Sequence, residues 1–148
     1  MSRSFFETAD DALRGFLPPA LRGFDSYRTG RNLKVWYGAE NREHYEVQFV
    51  SGSGLEVGFH AEHRDPERNE EVLAHLLRKE KTWRKALGRQ PQAGAFLGRQ
   101  SAWRRISEVW DGDGLTDDAA VEAAERLGAY IQTLEPLRRR ARLSAPRR

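Results

Sequence analysis

The sequence predicts one α+β domain of two layers, a mostly antiparallel sheet with helices on one face. Three observations lead there. Glu43-His-Tyr-Glu-Val-Gln-Phe-Val50 and Leu55-Glu-Val-Gly-Phe-His-Ala-Glu-His63 alternate polar and apolar residues on either side of Ser51-Gly-Ser-Gly54, the period-2 signature of a β-hairpin. Three other segments each carry a single apolar stripe at helical spacing, as helices lying on a sheet do. The elements run α-β-β-β-α-β-β-α, so most strands follow one another directly, which suits an antiparallel meander.

Residues 4–17 read as the first helix. Ser4 and Glu7 match the S-x-x-E capping box, and Phe5, Ala9, Ala12, Leu13, Phe16 and Leu17 recur at helical spacing. Pro18-Pro19 stops it, and residues 18–31 read as irregular, with Gly23 and Gly30 as turn signals. Leu33-Lys-Val-Trp-Tyr37 is the first strand, with Leu33, Val35 and Tyr37 on one side and Lys34 and Trp36 on the other. For the hairpin, a two-residue turn would set polar against apolar residues throughout. A three-residue loop at 51–53 pairs Phe49 with Leu55, Val47 with Val57, Tyr45 with Phe59, Gln48 with Glu56 and His44 with His60. A one-residue slip flips whole faces, so the second register is expected. The same parity sets Trp36 near His44 and Lys34 near Glu46, a cross-strand ion pair.

Asp65-Pro66-Glu67 opens the second helix as N-cap, first-turn proline and first-turn acid. Its stripe is Val72, Leu73, Leu76, Leu77, Trp83 and Leu87, and Gly88 ends it. Residues 95–97 and 103–110 read as two more strands. The alternation of the second is impure, because Ile106 shares parity with Arg104 and Glu108. Thr116 caps a third helix that runs to about residue 135 on Ala120, Ala124, Leu127, Ile131 and Leu134, and Pro136 ends or kinks it. Residues 1–137 form the domain, and 138–148 are expected to be a basic disordered tail.

A chain of 148 residues suits one domain. The absence of cysteine excludes disulfides, thiol nucleophiles and thiolate-bound zinc. No apolar run is long enough for a membrane span or resembles a signal peptide, so no membrane association is expected and the cytoplasm is the expected location. The net charge of +3 is uneven. Residues 138–148 hold six arginines and no acid, which leaves the rest mildly acidic.

The polar face of the hairpin is the first candidate site. Read as open to solvent, it gathers Lys34, Trp36, His44, Glu46, Gln48, Glu56, His60 and Glu62. Two histidines and three carboxylates suit zinc, manganese or acid–base work, and the aromatic suits stacking. Lys34 would compete with a metal ion for Glu46, so no metal ligand, catalytic residue or cofactor is assigned, and the face is read as a binding surface. Were His60 catalytic on such a face, His60→Ala would remove activity without harming stability. Residues 111–122 resemble a calcium loop at Asp111, Asp113 and Glu122, but Leu115 and Thr116 break the pattern. A nuclease of restriction-endonuclease type needs Glu-x-Lys on its strand, whereas Glu56-Val-Gly58 and Glu62-His-Arg64 lack the lysine. Arg138, Arg139, Arg140 and Arg142 suit contact with nucleic-acid phosphates. There is no phosphate-binding glycine loop, nucleophile elbow or dinucleotide fingerprint.

His44-Tyr-Glu46, Leu55-Glu-Val-Gly-Phe-His60, Asn69 with Leu76, Leu87-Gly88, Trp103-Arg-Arg-Ile106 and Leu134-Glu-Pro-Leu137 together resemble a bacterial domain of unknown function, often appended to restriction-endonuclease-like modules. The resemblance spans about residues 43–138. It implies an α+β accessory domain tied to DNA metabolism or defence, and it brings no catalytic residue. The expectation is thus a non-enzymatic binding or accessory module whose partner is nucleic acid or a nucleic-acid enzyme. A metal-dependent hydrolase built on the His/Glu face is the alternative. A protein-interaction subunit, homodimeric through Trp36 or Trp110, is the third.

Overall fold

The computed structural model describes residues 4–50, 54–111 and 116–144, with side chains to Arg139. Six strands form one antiparallel sheet: β1 (Asp25–Arg28), β2 (Asn32–Trp36), β3 (Glu43–Val50), β4 (Gly54–Ala61), β5 (Gln92–Ala95) and β6 (Arg104–Asp111). Their spatial order is β1-β2-β3-β4-β6-β5. Among the described residues four α-helices complete the α+β fold: α1 (Phe5–Leu13), α2 (Pro66–Leu77), α3 (Glu80–Leu87) and α4 (Asp117–Ser144).

The apolar parity of the strands decides which face the helices cover. Leu33 and Val35 of β2, Tyr45 and Val47 of β3, Leu55, Val57 and Phe59 of β4 and Ile106 of β6 are buried in one core with Phe6, Ala9 and Leu13 of α1. Leu76, Trp83 and Leu87 of α2 and α3 join them, as does the expected α4 stripe of Ala120, Ala124, Leu127, Ile131 and Leu134. Ser4 caps α1 through Glu7 N–H, Asp65 caps α2 through Glu67 N–H, and the Thr116 hydroxyl accepts from Ala119 N–H. The hairpin register is the expected one, with His44 opposite His60, Val47 opposite Val57 and Gln48 opposite Glu56.

Four expectations need correction. β1 lies in the stretch read as irregular; all four of its residues are exposed, and only ladder bonds to β2 define it. The second expected helix is two. The Leu76 carbonyl accepts Lys79 N–H and, at 2.8 Å, the indole N–H of buried Trp83, which fixes a break at residues 78–79, while Leu77 points outward. β5 covers residues 92–95 rather than 95–97. The last helix does not end at Pro136 but continues to Ser144, so the boundary expected after Leu137 falls inside α4. Proline there removes one N–H and crowds the preceding turn. Arg138, one residue past Leu137, holds the helix across it through Glu135 and Glu43.

The impure alternation of β6 has a physical reason. Glu108 shares the helix-facing side with Ile106, yet is fully partnered. Its carboxylate accepts Tyr130 O–H and Arg126 Nε–H of α4, each at 2.8 Å, and the Trp110 indole N–H at 2.8 Å.

Gly58 of β4 lies directly against the backbone of β6, opposite Ser107. A Cβ on it would stand 2.4 Å from the Ile106 carbonyl oxygen and 2.5 Å from Ser107 Cα, and its φ is +157°. Both obstacles are backbone, so neither rotates aside. Gly58→Ala is expected to destabilise the fold by about 3 kcal/mol or more through strain and overpacking. A urea midpoint unchanged by this substitution would contradict that close approach.

Candidate metal centre

The polar face of the hairpin is not open. His44, Glu46, Glu56, His60 and Glu62 are all buried. The cover comes from residues 96–103, between β5 and β6. Phe96 sets its ring edge-on to the His60 ring at 4.9 Å, and Trp103 packs on Phe96 at 5.1 Å. β6 adds Arg105 and Ser107, buried on the same flank. The surface read from alternation as solvated is therefore a polar interior.

Within it, register and strand parity bring four donors together. His44 and Glu46 are two apart on β3, and His60 lies across from His44 on β4, with Glu62 two residues further on. Gly58 faces Glu46, so no side chain competes there. His44 Nε2 lies 3.0 Å from Glu46 Oε1 and 3.4 Å from Glu62 Oε2. His60 Nδ1 lies 3.0 Å from the same Glu46 oxygen and 3.1 Å from Glu62 Oε2. All four donor atoms fall within 4.8 Å of one another. A cation about 2.1 Å from each ligand would space neighbouring donors by roughly 3.0–3.4 Å, so these separations fit a shared ion as well as hydrogen bonds.

The other side of each imidazole discriminates further. His44 Nδ1 faces the Asn41 carbonyl oxygen at 3.0 Å, which only accepts, so Nδ1 carries the proton. His60 Nε2 faces Glu56 Oε2 at 2.8 Å. That carboxylate is itself held by Ser107 O–H at 2.5 Å and Gln48 N–H at 2.6 Å, and Arg105 donates to Ser107 Oγ at 2.9 Å. With their outward nitrogens donating to oxygen acceptors, both histidines turn the remaining nitrogen toward carboxylate oxygens. A lone pair facing an anion is repulsive. Each inward nitrogen therefore needs a second proton, or the pair needs one shared cation. Two protons and one divalent ion carry the same charge, so either occupant balances the site equally.

In the proton-filled form the electrostatics are strongly coupled. Burial alone would lower the His60 pKa, but its bonds to Glu46, Glu56 and Glu62 lift it well above the ordinary imidazole value. His44 is raised in the same way by Glu46 and Glu62. Burial would raise the carboxyls, yet hydrogen bonds from the two imidazoles hold Glu46 far below the usual carboxylate range and Glu62 down at about 2.

The outer oxygens of the two glutamates are also held. The Asn32 side-chain amide donates from Nδ2 to Glu46 Oε2 at 3.0 Å, and Lys34 Nζ lies 3.6 Å from Glu62 Oε1. Lys34 does stand opposite Glu46 in the register, but its charge goes to Glu62, on the side away from the histidines. The expected competition with a metal ion at Glu46 is therefore absent from the geometry.

Comparison with family models, with curated proteins and with solved structures finds no match. The site must be read from its own atoms.

The other candidate residues separate. Trp36 is half-buried beside Lys34, and Gln48 serves Glu56. Trp110 spends its indole N–H on Glu108. Arg138 points inward, 2.8 Å from Glu43, and Arg139 pairs with Glu135 at 3.3 Å. The side chains of Arg140 and Arg142 lie outside the described residues, as do Asp113 and Leu115 of the calcium-like loop. Reading the sequence missed Asn32, Asn41, Arg105 and Ser107, which orient the ligands. Ser107 shares its strand face with Arg105 and was legible from parity alone; Asn32 and Asn41 gave no signal.

Proposed function

We propose that this chain is a metalloprotein that holds one divalent first-row transition-metal ion between β3 and β4. The ligands are His44 Nε2, Glu46 Oε1, His60 Nδ1 and Glu62 Oε2. Support comes chiefly from one observation: each histidine faces an oxygen acceptor with the nitrogen that does not ligate. Metal-binding histidines are commonly held in this way, with the outer N–H fixed by a carbonyl or carboxylate and the inner lone pair aimed at the ion. Two imidazoles and two carboxylates suit zinc, iron or manganese, and disfavour a soft ion that requires thiolate. Of the four ligands, Glu62 alone lines an outer cleft, so the ion would lie behind that side chain, next to a space large enough for a small ligand. The convergence of four donor atoms favours the metal-dependent reading over that of a passive accessory module.

Zinc titrated into metal-stripped protein is expected to bind one ion per chain and to release about two protons, one from each imidazole. Calorimetry in two buffers of different ionisation enthalpy measures both. Binding without proton release, or a stoichiometry that survives Glu46→Gln with Glu62→Gln, would place the ion elsewhere.

A further inference from the structure

Beside the proposed ion lies a cleft of about 400 Å³, within the size range of small-ligand sites. Its walls include Tyr27, Lys34, Trp36, Arg42, Glu62 and Trp103. Three aromatic rings and two cations surround a single carboxylate. That carboxylate is already engaged, with one oxygen toward the histidines and the other toward Lys34. Among the described residues, no ion pair or hydrogen bond engages the Arg42 guanidinium. Among the described residues neither the Trp36 nor the Trp103 indole N–H finds an acceptor, whereas those of Trp83 and Trp110 both do. Tyr27 is 60 % exposed, an unusual position for a large ring without a partner.

A half-buried cation with no anion, next to the rings of Trp36, Tyr27 and Trp103, is complementary to a flat ring that carries negative charge. Resting on the metal reading above, we infer that this cleft binds a ring-bearing anion of about mononucleotide size. Its phosphate or carboxylate lies on Arg42 and Lys34 beside the ion, and its ring against the aromatic wall. A bare anion lacks the stacking area, and an uncharged ring lacks a counterpart for Arg42. Glu62 joins the two sites, since one side chain both ligates the ion and lines the cleft.

The test uses full-length protein, zinc-loaded and metal-stripped, with indole fluorescence and calorimetry as readouts. The probes are adenosine monophosphate, indole-3-acetate, adenosine and inorganic phosphate. Metal content is measured on every sample. Zinc-loaded protein should bind one or both ring-bearing anions at least tenfold more tightly than adenosine or phosphate, and which of the two binds better identifies the anionic group. Arg42→Gln, at a partly exposed position, should weaken that binding about tenfold while zinc content stays at one. Trp36→Leu should weaken it as well. Zinc-loaded protein that binds no ring-bearing anion, or binds one equally well in Arg42→Gln and Trp36→Leu, would overturn the inference and leave the metal centre standing. If zinc is not retained, the metal reading fails. Arg42-dependent binding by that same protein would then uphold the cleft alone, and its absence would overturn it.

Discussion

Arg138→Met is expected to destabilise the fold by about 3–5 kcal/mol, the usual result of removing one partner from a buried charge network. Arg138 is buried at the junction of three elements. It reaches Glu43 of β3 at 2.8 Å, pairs with Glu135 of α4, and lies over the Phe59 ring at 5.0 Å. Glu135 also accepts the Tyr45 hydroxyl at 3.0 Å, and Glu43 faces His63 at 2.7 Å. Methionine keeps the bulk but takes from two buried carboxylates their one buried cation, leaving Glu135 with the exposed Arg139 and Glu43 with His63 and the exposed Arg68. The neutral triple variant Glu43→Gln, Glu135→Gln, Arg138→Met should recover most of the loss, because no charge is then stranded.

The pH dependence follows in sign. Burial alone would raise the Glu43 carboxyl, but Arg138 and His63 outweigh it and hold the group below its ordinary range. A carboxyl depressed in the folded state stabilises at pH above its unfolded value, about 4.3, and that stabilisation fades as pH falls through the folded value. The deficit of Arg138→Met should therefore narrow in acid, because without the guanidinium the buried Glu43 takes up a proton at a pH where wild type still keeps it ionised. Urea unfolding at pH 7 and pH 4 measures it. A deficit below 1 kcal/mol at pH 7, or one that grows in acid, contradicts the buried clasp.

His60→Ala should produce the other large effect, in two separable parts. In metal-stripped protein it removes the cation among Glu46, Glu56 and Glu62, at a cost of about 3–5 kcal/mol. The idea that His60 could be replaced without structural harm belonged to an open face, and burial removes it. In wild-type protein, zinc at a thousand times its dissociation constant should add about 4 kcal/mol of stability. His60→Ala should gain almost none of this. Glu62→Gln tests the same ligand set from the other side of the site. It should lose some stability when metal-stripped, because Glu62 faces both imidazoles, and it should also lose the zinc-dependent rise in Tm. A full zinc response in both variants would sink the proposed ligand set.

Much of this was legible in the chain. The hairpin register followed from parity and a three-residue loop, and with it the pairing of His44 with His60 and Gln48 with Glu56. The helix caps followed from Ser4, Asp65 and Thr116. What escaped had no local signal. Alternation shows that a strand has two unlike faces, not that water covers the polar one. The cover here is Phe96 and Trp103, 36 or more residues from His60, in a segment without periodicity. β1 escaped because Asp25, Ser26, Tyr27 and Arg28 bury nothing, and only backbone pairing makes them a strand. Arg138 escaped because six arginines in eleven residues read as solvated charge, and one buried partner 95 positions away outweighs that pattern.

That distance also affects how the domain is made. Tyr45 and Glu135 are 90 residues apart in sequence, and Glu43 and Arg138 are 95 apart. On a ribosome adding about 5–20 residues per second, Glu43 emerges roughly 5–20 s before the arginine that neutralises it. For that interval Glu43 has only His63 and Arg68 beside it, and the apolar face of the meander lacks α4. Closure of the clasp therefore waits until α4 has been made, well after the strands it covers.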